Sequence, residues 1–461
     1  MSAASIALFT SDLRVHDHPV LHAATKGTGS VVPLFVLDDG VRAVGFDVPN
    51  RRAFLADCLA DLDEALRARG GRLVVRTGDV VEETARAAAE ADARDVHVAG
   101  GVSGYAHRRE ERLRRTLEAD GRRLHVHDAV VTALAPGEVT PAGKDHFAVF
   151  TPYFRRWQAE RHRDVLRAPR RVRVPEAVGS GPVPRRRDVS GVSPGLAAGG
   201  EVEGRRRATA WMGSPLRRYA QGQDDLAGDA TSRLSPHLHF GTLSAVELVQ
   251  RARKAGGDGD GAEAFVRQLA WRDFHHQVLA ARPAAAHADY RARHDRWRRD
   301  AQEAEAWRTG RTGYPIVDAA MRQLAHEGWM HNRARLLTAS FLTKTLYLDW
   351  RLGAAHFLSL LVDGDLANNQ LNWQWAAGTG TDTRPNRVLN PLAQAKRFDA
   401  DGAYVRRWVP ELADVPGLEK GAVHRPWKLR PAAARAALDY PEPVIDLADG
   451  LARFKQARGL D

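Results

Sequence analysis

The chain has 461 residues, 44% of them hydrophobic and 27% charged, enough for several cores at roughly 150 residues per domain and unlike a disordered or disulfide-stapled chain. Its 68 Lys and Arg against 57 Asp and Glu leave a formal charge of +11, so a polyanion, nucleic acid above all, is the first partner to consider, although arginine-rich genomes produce the same surplus. Cys58 is the only cysteine, which excludes an internal disulfide and a CxxC zinc or iron-sulfur site; with no leader-like N-terminus and no apolar run of about 18 residues, a cytoplasmic, metal-free protein outside the membrane is expected.

From the N-terminus, short apolar runs at Ser5–Thr10, Val31–Leu37, Leu73–Val75, Val96–Ala99 and Leu124–Val126 read as strands. Amphipathic stretches at Arg51–Arg69 and Val80–Ala91 separate them. That order predicts a parallel, Rossmann-like α/β domain over residues 1–130, with helices on the sheet faces. No GxGxxG follows the first strand, and the glycines of Ala99–Gly104 are a weak nucleotide signal. Residues 131–205 read as an interdomain linker: from Arg161 to Gly204 the pattern dissolves into Arg, Pro, Val and Gly, with few residues able to anchor a core. Arginine runs stand at Arg185–Arg187 and Arg205–Arg207. Residues 206–461 read as an all-α domain, with helical periodicity at Ile316–His326 and Arg333–Leu348 and a loop at Ala255–Gly261. Ten of the 11 tryptophans lie beyond position 200, so the large aromatic surfaces belong to the helical half.

The segment Thr231-Ser232-Arg233-Leu234-Ser235-Pro236 places hydroxyls and an arginine where a helix is expected to begin. Such a terminus suits phosphate oxygens, and equally suits an ordinary Ser/Thr cap. It has company downstream. Gln268-Leu269-Ala270-Trp271-Arg272-Asp273-Phe274, the TGYPIVDAAMR of Thr312–Arg322, the GWMHNR of Gly328–Arg333, Asp363-Gly364-Asp365-Leu366-Ala367-Asn368-Asn369 and Asn372-Trp373-Gln374-Trp375 follow in order.

Together these motifs resemble the DNA photolyase and cryptochrome family, and within it the bacterial class I cyclobutane pyrimidine dimer photolyases, over nearly the whole chain. The resemblance implies an α/β antenna domain, a linker, and a helical domain holding bent FAD. It places Tyr219, Thr231, Ser232, Arg233, Leu234 and Ser235 at the flavin diphosphate, Arg335 and Asp363 as an ion pair beside the isoalloxazine, and Gly364 and Asp365 just after it. Asn369 falls opposite flavin N5, where a neutral amide can accept from a protonated nitrogen without adding charge. Trp271 and Trp375 match the aromatic walls of the dimer pocket, with Asn332 and Gln268 beside them and Gln268 also at the cofactor. Trp373, Trp350 and Trp297 match an electron chain to the flavin, and Arg272, Arg333 and Arg387 match contacts to DNA.

The implied activity is light-driven repair of pyrimidine dimers in DNA by a monomer, the electron passing from photoexcited reduced FAD to the dimer. A cryptochrome-like photoreceptor with little or no repair is the alternative. Gln268 stands where the cyclobutane enzymes carry glutamate, Leu336 where they carry methionine, and Phe265 where they carry tryptophan. Six-four photoproduct repair uses two histidines, and the matching positions hold Asn332 and Leu336, while His331 is common to both groups. The antenna motifs around Phe9–His18 and Val102–Arg109 are altered, which leaves a deazaflavin or folate chromophore and an empty antenna site as alternatives.

Overall fold

A computed structural model describes residues 4–26, 29–256 and 259–460. Five parallel strands, β1 (Ala4–Phe9), β2 (Ser30–Asp38), β3 (Val74–Gly78), β4 (Ala93–Ala99) and β5 (Arg123–His127), form one sheet in the order β3-β2-β1-β4-β5. Ile6 of the central β1 lies opposite Val32 on one side and Val96 on the other. Every residue of β1 is buried, as expected for a parallel strand covered on both faces. The crossovers include α1 (Pro19–Thr25), α2 (Pro49–Arg67), α3 (Val80–Glu90) and α4 (Gly104–Ala119). Proline at the start of α2 and the Asp79 cap of α3 mark their beginnings.

The segment read as a linker is better anchored than its composition suggests. Helix α5 (Phe150–Ala159) buries Phe150, Tyr153, Phe154 and Trp157 in the helical half. The extended chain beyond it returns to the sheet domain, where Val172 N–H donates to Arg69 O (2.9 Å), Gly181 N–H donates to Val75 O (2.8 Å), and Val172 and Val178 are buried. Scattered valines, too sparse to show periodicity, do the anchoring.

The helical half contains α6 (Ser214–Gly222), α7 (Asp260–Ala281), α8 (Pro315–Glu327), α9 (Asn332–Ser340), α10 (Trp350–Leu360) and α11 (Leu366–Ala377) among other helices. The helix expected to run through Leu348 stops earlier: α9 passes at Phe341 into a π-helical turn ending at Thr345. The Ala255–Gly261 loop is mostly helix ends, since one helix closes at Gly256 and α7 opens at Asp260; Gly257 and Asp258 lie outside the described residues.

The Asp12-Leu13-Arg14 motif joins the halves. Arg14, 1% exposed, donates to Val130 O (3.1 Å) and, across the interface, to Gly241 O (2.9 Å). Gly241 has φ +65°, and a Cβ there would stand 2.0 Å from Ser11 O, so only glycine lets the chains meet this closely.

Candidate active site

Helix α11 packs against both α7 and α9, which brings the chemistry-bearing stretches of all three to one region. Asp365 caps α11, accepting from Asn368 N (2.8 Å) and Asn368 Nδ2 (2.6 Å). It also lies 3.3 Å from His276 of α7. Burial by itself would raise the Asp365 carboxyl, but His276, Arg272 and His239 hold it well below the usual range. His275 meets Asn368 Oδ1 at 3.0 Å and fastens the same two helices one residue away.

Asn369, buried on α11, donates its amide hydrogens to Ala354 O (3.1 Å) and Gln370 Oε1 (3.0 Å). Its Oδ1 is left as an acceptor that no donor reaches among the described residues. Arg335 donates to Met330 O (2.8 Å) and to both oxygens of the buried Asp363 (2.8 and 3.1 Å), so the expected ion pair is formed and oriented by the backbone. Gly364, expected at the cofactor, also makes room for an arginine of the sheet half. Arg51 of α2 enters there, donating to Leu358 O (2.6 Å) and Leu361 O (2.8 Å), and a Cβ on Gly364 would come within 2.6 Å of its Nη1.

In the Thr231–Ser235 stretch the hydroxyls do not cap the helix Ser235–His239, which has no side-chain cap. Thr231 Oγ1 is buried without a partner, Ser232 Oγ accepts from Leu234 N (3.4 Å), and Ser235 Oγ accepts from Trp329 Nε1 (3.1 Å). Arg233 is held by Asp229 (2.6 Å) and Glu327 (3.1 Å) over the Trp329 ring, and Leu234 is a core residue. Tyr219 of α6 is buried edge-on against Trp211 and Phe265; burial, then Asp224, pushes its phenol up to about 12. The orphaned Thr231 hydroxyl, the free Asn369 acceptor and the fixed Arg335–Asp363 pair fit a flavin nucleotide, which presents phosphate oxygens to the first and a ring N–H to the second.

Trp271 and Trp375, the expected walls, are both half-buried. Trp271 lies flat on Phe150 of α5, ring centroids 3.7 Å apart at 5°, with Phe274 edge-on at 5.4 Å. One indole face is therefore covered by the protein. Sequence reasoning missed Phe150 because it falls in the stretch read as linker. Gln268, one turn before Trp271, and the exposed Asn332, first residue of α9, make no side-chain hydrogen bond among the described residues. Leu336 follows Asn332 by one turn.

Two of the three arginines expected on DNA are committed elsewhere. Arg272 donates to Val131 O (2.7 Å) and Leu238 O (3.2 Å), tying the connection to the helical half. Arg333 grips Asp224 through three hydrogen bonds of 2.8 to 3.1 Å and lies over Phe398. Arg387 alone is exposed, without a carboxylate partner among the described residues, its guanidinium 5.1 Å from the centroid of the Trp375 ring. His331 accepts from Arg333 N through Nδ1 (3.1 Å), and burial pulls its pKa down to about 4.

Trp373 and Trp350 are buried in one core against which the half-buried Trp297 packs. The Trp373 ring fills the space over Gly353, one turn from Trp350, where a Cβ would meet it at 2.2 Å. Its nearest ring neighbours are Phe357 (4.9 Å) and Trp307 (5.9 Å), both edge-on. Trp307, fully buried, was not singled out from sequence because no motif contains it.

The family model described as the FAD binding domain of DNA photolyase matches residues 265–459, and that described as DNA photolyase matches residues 5–174. A curated deoxyribodipyrimidine photo-lyase of Streptomyces griseus is 68% identical over 458 residues, 99% of each chain. The chain belongs to the DNA photolyase family. A bacterial class III photolyase from Agrobacterium tumefaciens superposes with a TM-score of 0.90 at 29% identity, covering 100% of this chain and 98% of that one. An archaeal photolyase from Sulfolobus tokodaii, solved with two FAD molecules, superposes with a TM-score of 0.84 at 28% identity over 99% of each chain.

In this photolyase the strand order reverses between β1 and β4, the place where open parallel sheets bind ligands beyond their carboxyl ends. Asp12 follows β1, and Tyr105 and Arg109 of α4 follow β4; Tyr105 bonds Asp38 at the end of β2. Arg109 is half-buried and paired with Glu110 (3.6 Å), and its Nε has no hydrogen-bond partner among the described residues.

Proposed function

We propose that this protein is a deoxyribodipyrimidine photo-lyase that splits cyclobutane pyrimidine dimers in DNA under blue light. The observation that carries the reading is a pair of half-buried tryptophans, Trp271 and Trp375, accompanied by two uncommitted amides, Gln268 and Asn332, in a chain 68% identical to an enzyme of that name. FAD, when bound, supplies the light-driven one-electron chemistry. The chain's own residues bind, orient and keep water out.

The indoles of Trp271 and Trp375 stack on the extruded bases, each worth about 1 to 3 kcal/mol against the unstacking that extrusion requires. Photolyases as a class extrude the damaged nucleotides from the duplex, and extrusion is carried to this chain by that analogy. Gln268 and Asn332 hydrogen-bond the base edges as neutral groups. Asn369 Oδ1 would accept from the flavin ring, Thr231 would meet the diphosphate, and Arg335, fixed by Asp363, would stand beside the ring system. Arg387 meets a phosphate next to the Trp375 wall. Trp373, Trp350 and Trp297, gathered in one core, would carry electrons inward to the flavin.

The protein works as a single chain in the cytoplasm, and the crevice beside Arg109 takes a deazaflavin or folate antenna. Among the described residues, no helix is long and apolar enough to cross a membrane. The deciding experiment illuminates the reduced protein with an oligonucleotide carrying one thymine dimer. Repair is expected, with damaged-strand binding that weakens steeply as salt rises. No turnover of either cyclobutane or six-four substrates would overturn the enzyme and leave the photoreceptor.

A further inference from the structure

We propose that Lys344 is a positioning residue for the damaged strand: from inside the helical half it fixes the arm of residues 383–389 and so sets Arg387 beside Trp375. The proposal rests on the reading of Trp375 as a wall of the dimer pocket and of Arg387 as a phosphate contact.

The arm leads from the end of α11 to the helix Pro391–Phe398 and contains no helix or strand of its own. Arg384, Asn386 and Arg387 are exposed on it, with a single turn closed by Arg387 N–H to Arg384 O (3.1 Å). An exposed segment of this kind is ordinarily among the first to move. Lys344 and Ser340 supply the side-chain hydrogen bonds that tie it to the body of the protein. Lys344 Nζ donates to Pro385 O (2.8 Å) and to Arg387 O (2.7 Å), and Ser340 Oγ accepts from Leu389 N–H (3.1 Å). The second carbonyl belongs to Arg387 itself, so the backbone from which the guanidinium extends is held directly. That guanidinium then lies 5.1 Å from the centroid of the Trp375 ring.

Both tethers stand at one end of α9: Ser340 is its last residue, and Lys344 lies in the π-helical turn Phe341–Thr345 that follows. The opposite end of α9 carries Asn332, so one helix serves the base edge at its start and the arm at its finish. The Pro385 carbonyl is confined from a second side. Gly378, just past the end of α11, has φ +81°, and a Cβ there would stand 2.2 Å from Pro385 O. Trp375 lies one turn before Gly378, so the wall and the arm meet at this carbonyl.

Lys344 is 1% exposed and pairs with no carboxylate among the described residues; Phe454 covers it, with Nζ 5.7 Å from the ring centroid. Burial draws its pKa down to about 7, a sign of how unfavourable the interior is for an ammonium. An apolar chain of the same length would avoid that cost. What the lysine adds is the pair of hydrogen bonds to the arm.

The test measures binding of a duplex oligonucleotide carrying one thymine dimer to the flavin-loaded protein in the dark, and the dimers split per absorbed photon at saturating substrate. Lys344→Met keeps the chain length and removes the donors. It is expected to weaken binding by about tenfold, with the yield per photon within about twofold of wild type. Lys344→Arg, which restores donors, should regain most of the affinity. In an Arg387→Gln background, Lys344→Met should weaken binding by less than about twofold more, because both changes act on one contact. Wild-type affinity in Lys344→Met, or losses that multiply in the double variant, overturns the proposal and leaves the Arg387 contact standing. Wild-type affinity in Arg387→Gln overturns that contact, and the proposal with it. Should Lys344→Met fail to load flavin, Lys344→Gln, which keeps an amide donor, is read by the same outcomes.

Discussion

Gln268 presents an amide where the family resemblance implies a carboxylic acid, and among the described residues it makes no side-chain hydrogen bond. An amide can donate and accept, but it cannot share a proton with a reduced base. Gln268→Glu is therefore expected to raise the number of dimers repaired per absorbed photon, by about fivefold if it adds one hydrogen bond of about 1 kcal/mol. An unchanged or lower yield would remove Gln268 from the limiting step. Trp373→Phe is expected to slow photoreduction of the oxidised flavin by at least about tenfold, monitored as bleaching under blue light. A normal rate would exclude Trp373 from the chain, and a residual one would point to Trp307 beside it. The pairing of Arg335 with Asp363 was legible because their motifs fix both identity and neighbours. The partners of Arg272 and Arg333 were not, since Val131, Leu238 and Asp224, which decide where the guanidiniums point, lie far away in sequence.

Among the elements, β1 and β2 could be read directly because a parallel strand buried on both faces is a nearly unbroken apolar run, and the ends of all five strands shifted by only a few residues. The region from Phe341 to Leu348 could not. Its apolar spacing continues that of α9, but the chain turns where Lys344, drawn inside, donates to Pro385 O (2.8 Å) and Arg387 O (2.7 Å). Those carbonyls belong to the arm that carries Arg387 beside Trp375, a contact invisible to local pattern. Helix α5 was hidden for a related reason, being a short aromatic cluster inside a polar stretch. Phe150→Ala should destabilise the protein by about 3 to 5 kcal/mol, measurable as a lower urea midpoint, because it empties a buried ring site against Trp271 and Phe154. A loss below about 1 kcal/mol would mean that α5 is a passive cover.

For the whole molecule, burial lowers His97, His162, His237, His239, His275, His331 and His356 to about 4. Between about pH 4 and 6.5 the unfolded chain binds more protons at these sites than the native one, so stability rises with pH across that window. Asp318 opposes this: burial raises it to about 6, so the native state holds its proton and its contribution falls as pH rises from 3.8 to about 6. The histidines outnumber it. The urea midpoint is expected to climb between about pH 4.5 and 6.5 and then level off; a midpoint that falls over this range would contradict the buried neutral histidines. The surplus charge also looks different once paired. Arg186 meets Asp57, Arg205 meets Glu247, and Arg206 and Arg207 share Glu203, so the arginine runs are largely spent on the protein itself. Arg51 shows how far such spending reaches. It originates in the α/β half, yet it closes the backbone immediately before and beside the Asp363–Gly364 step. A sheet domain grafted from a distant relative would have to bring its own cation to that spot, so exchanging the sheet half also removes a support beneath the helical one.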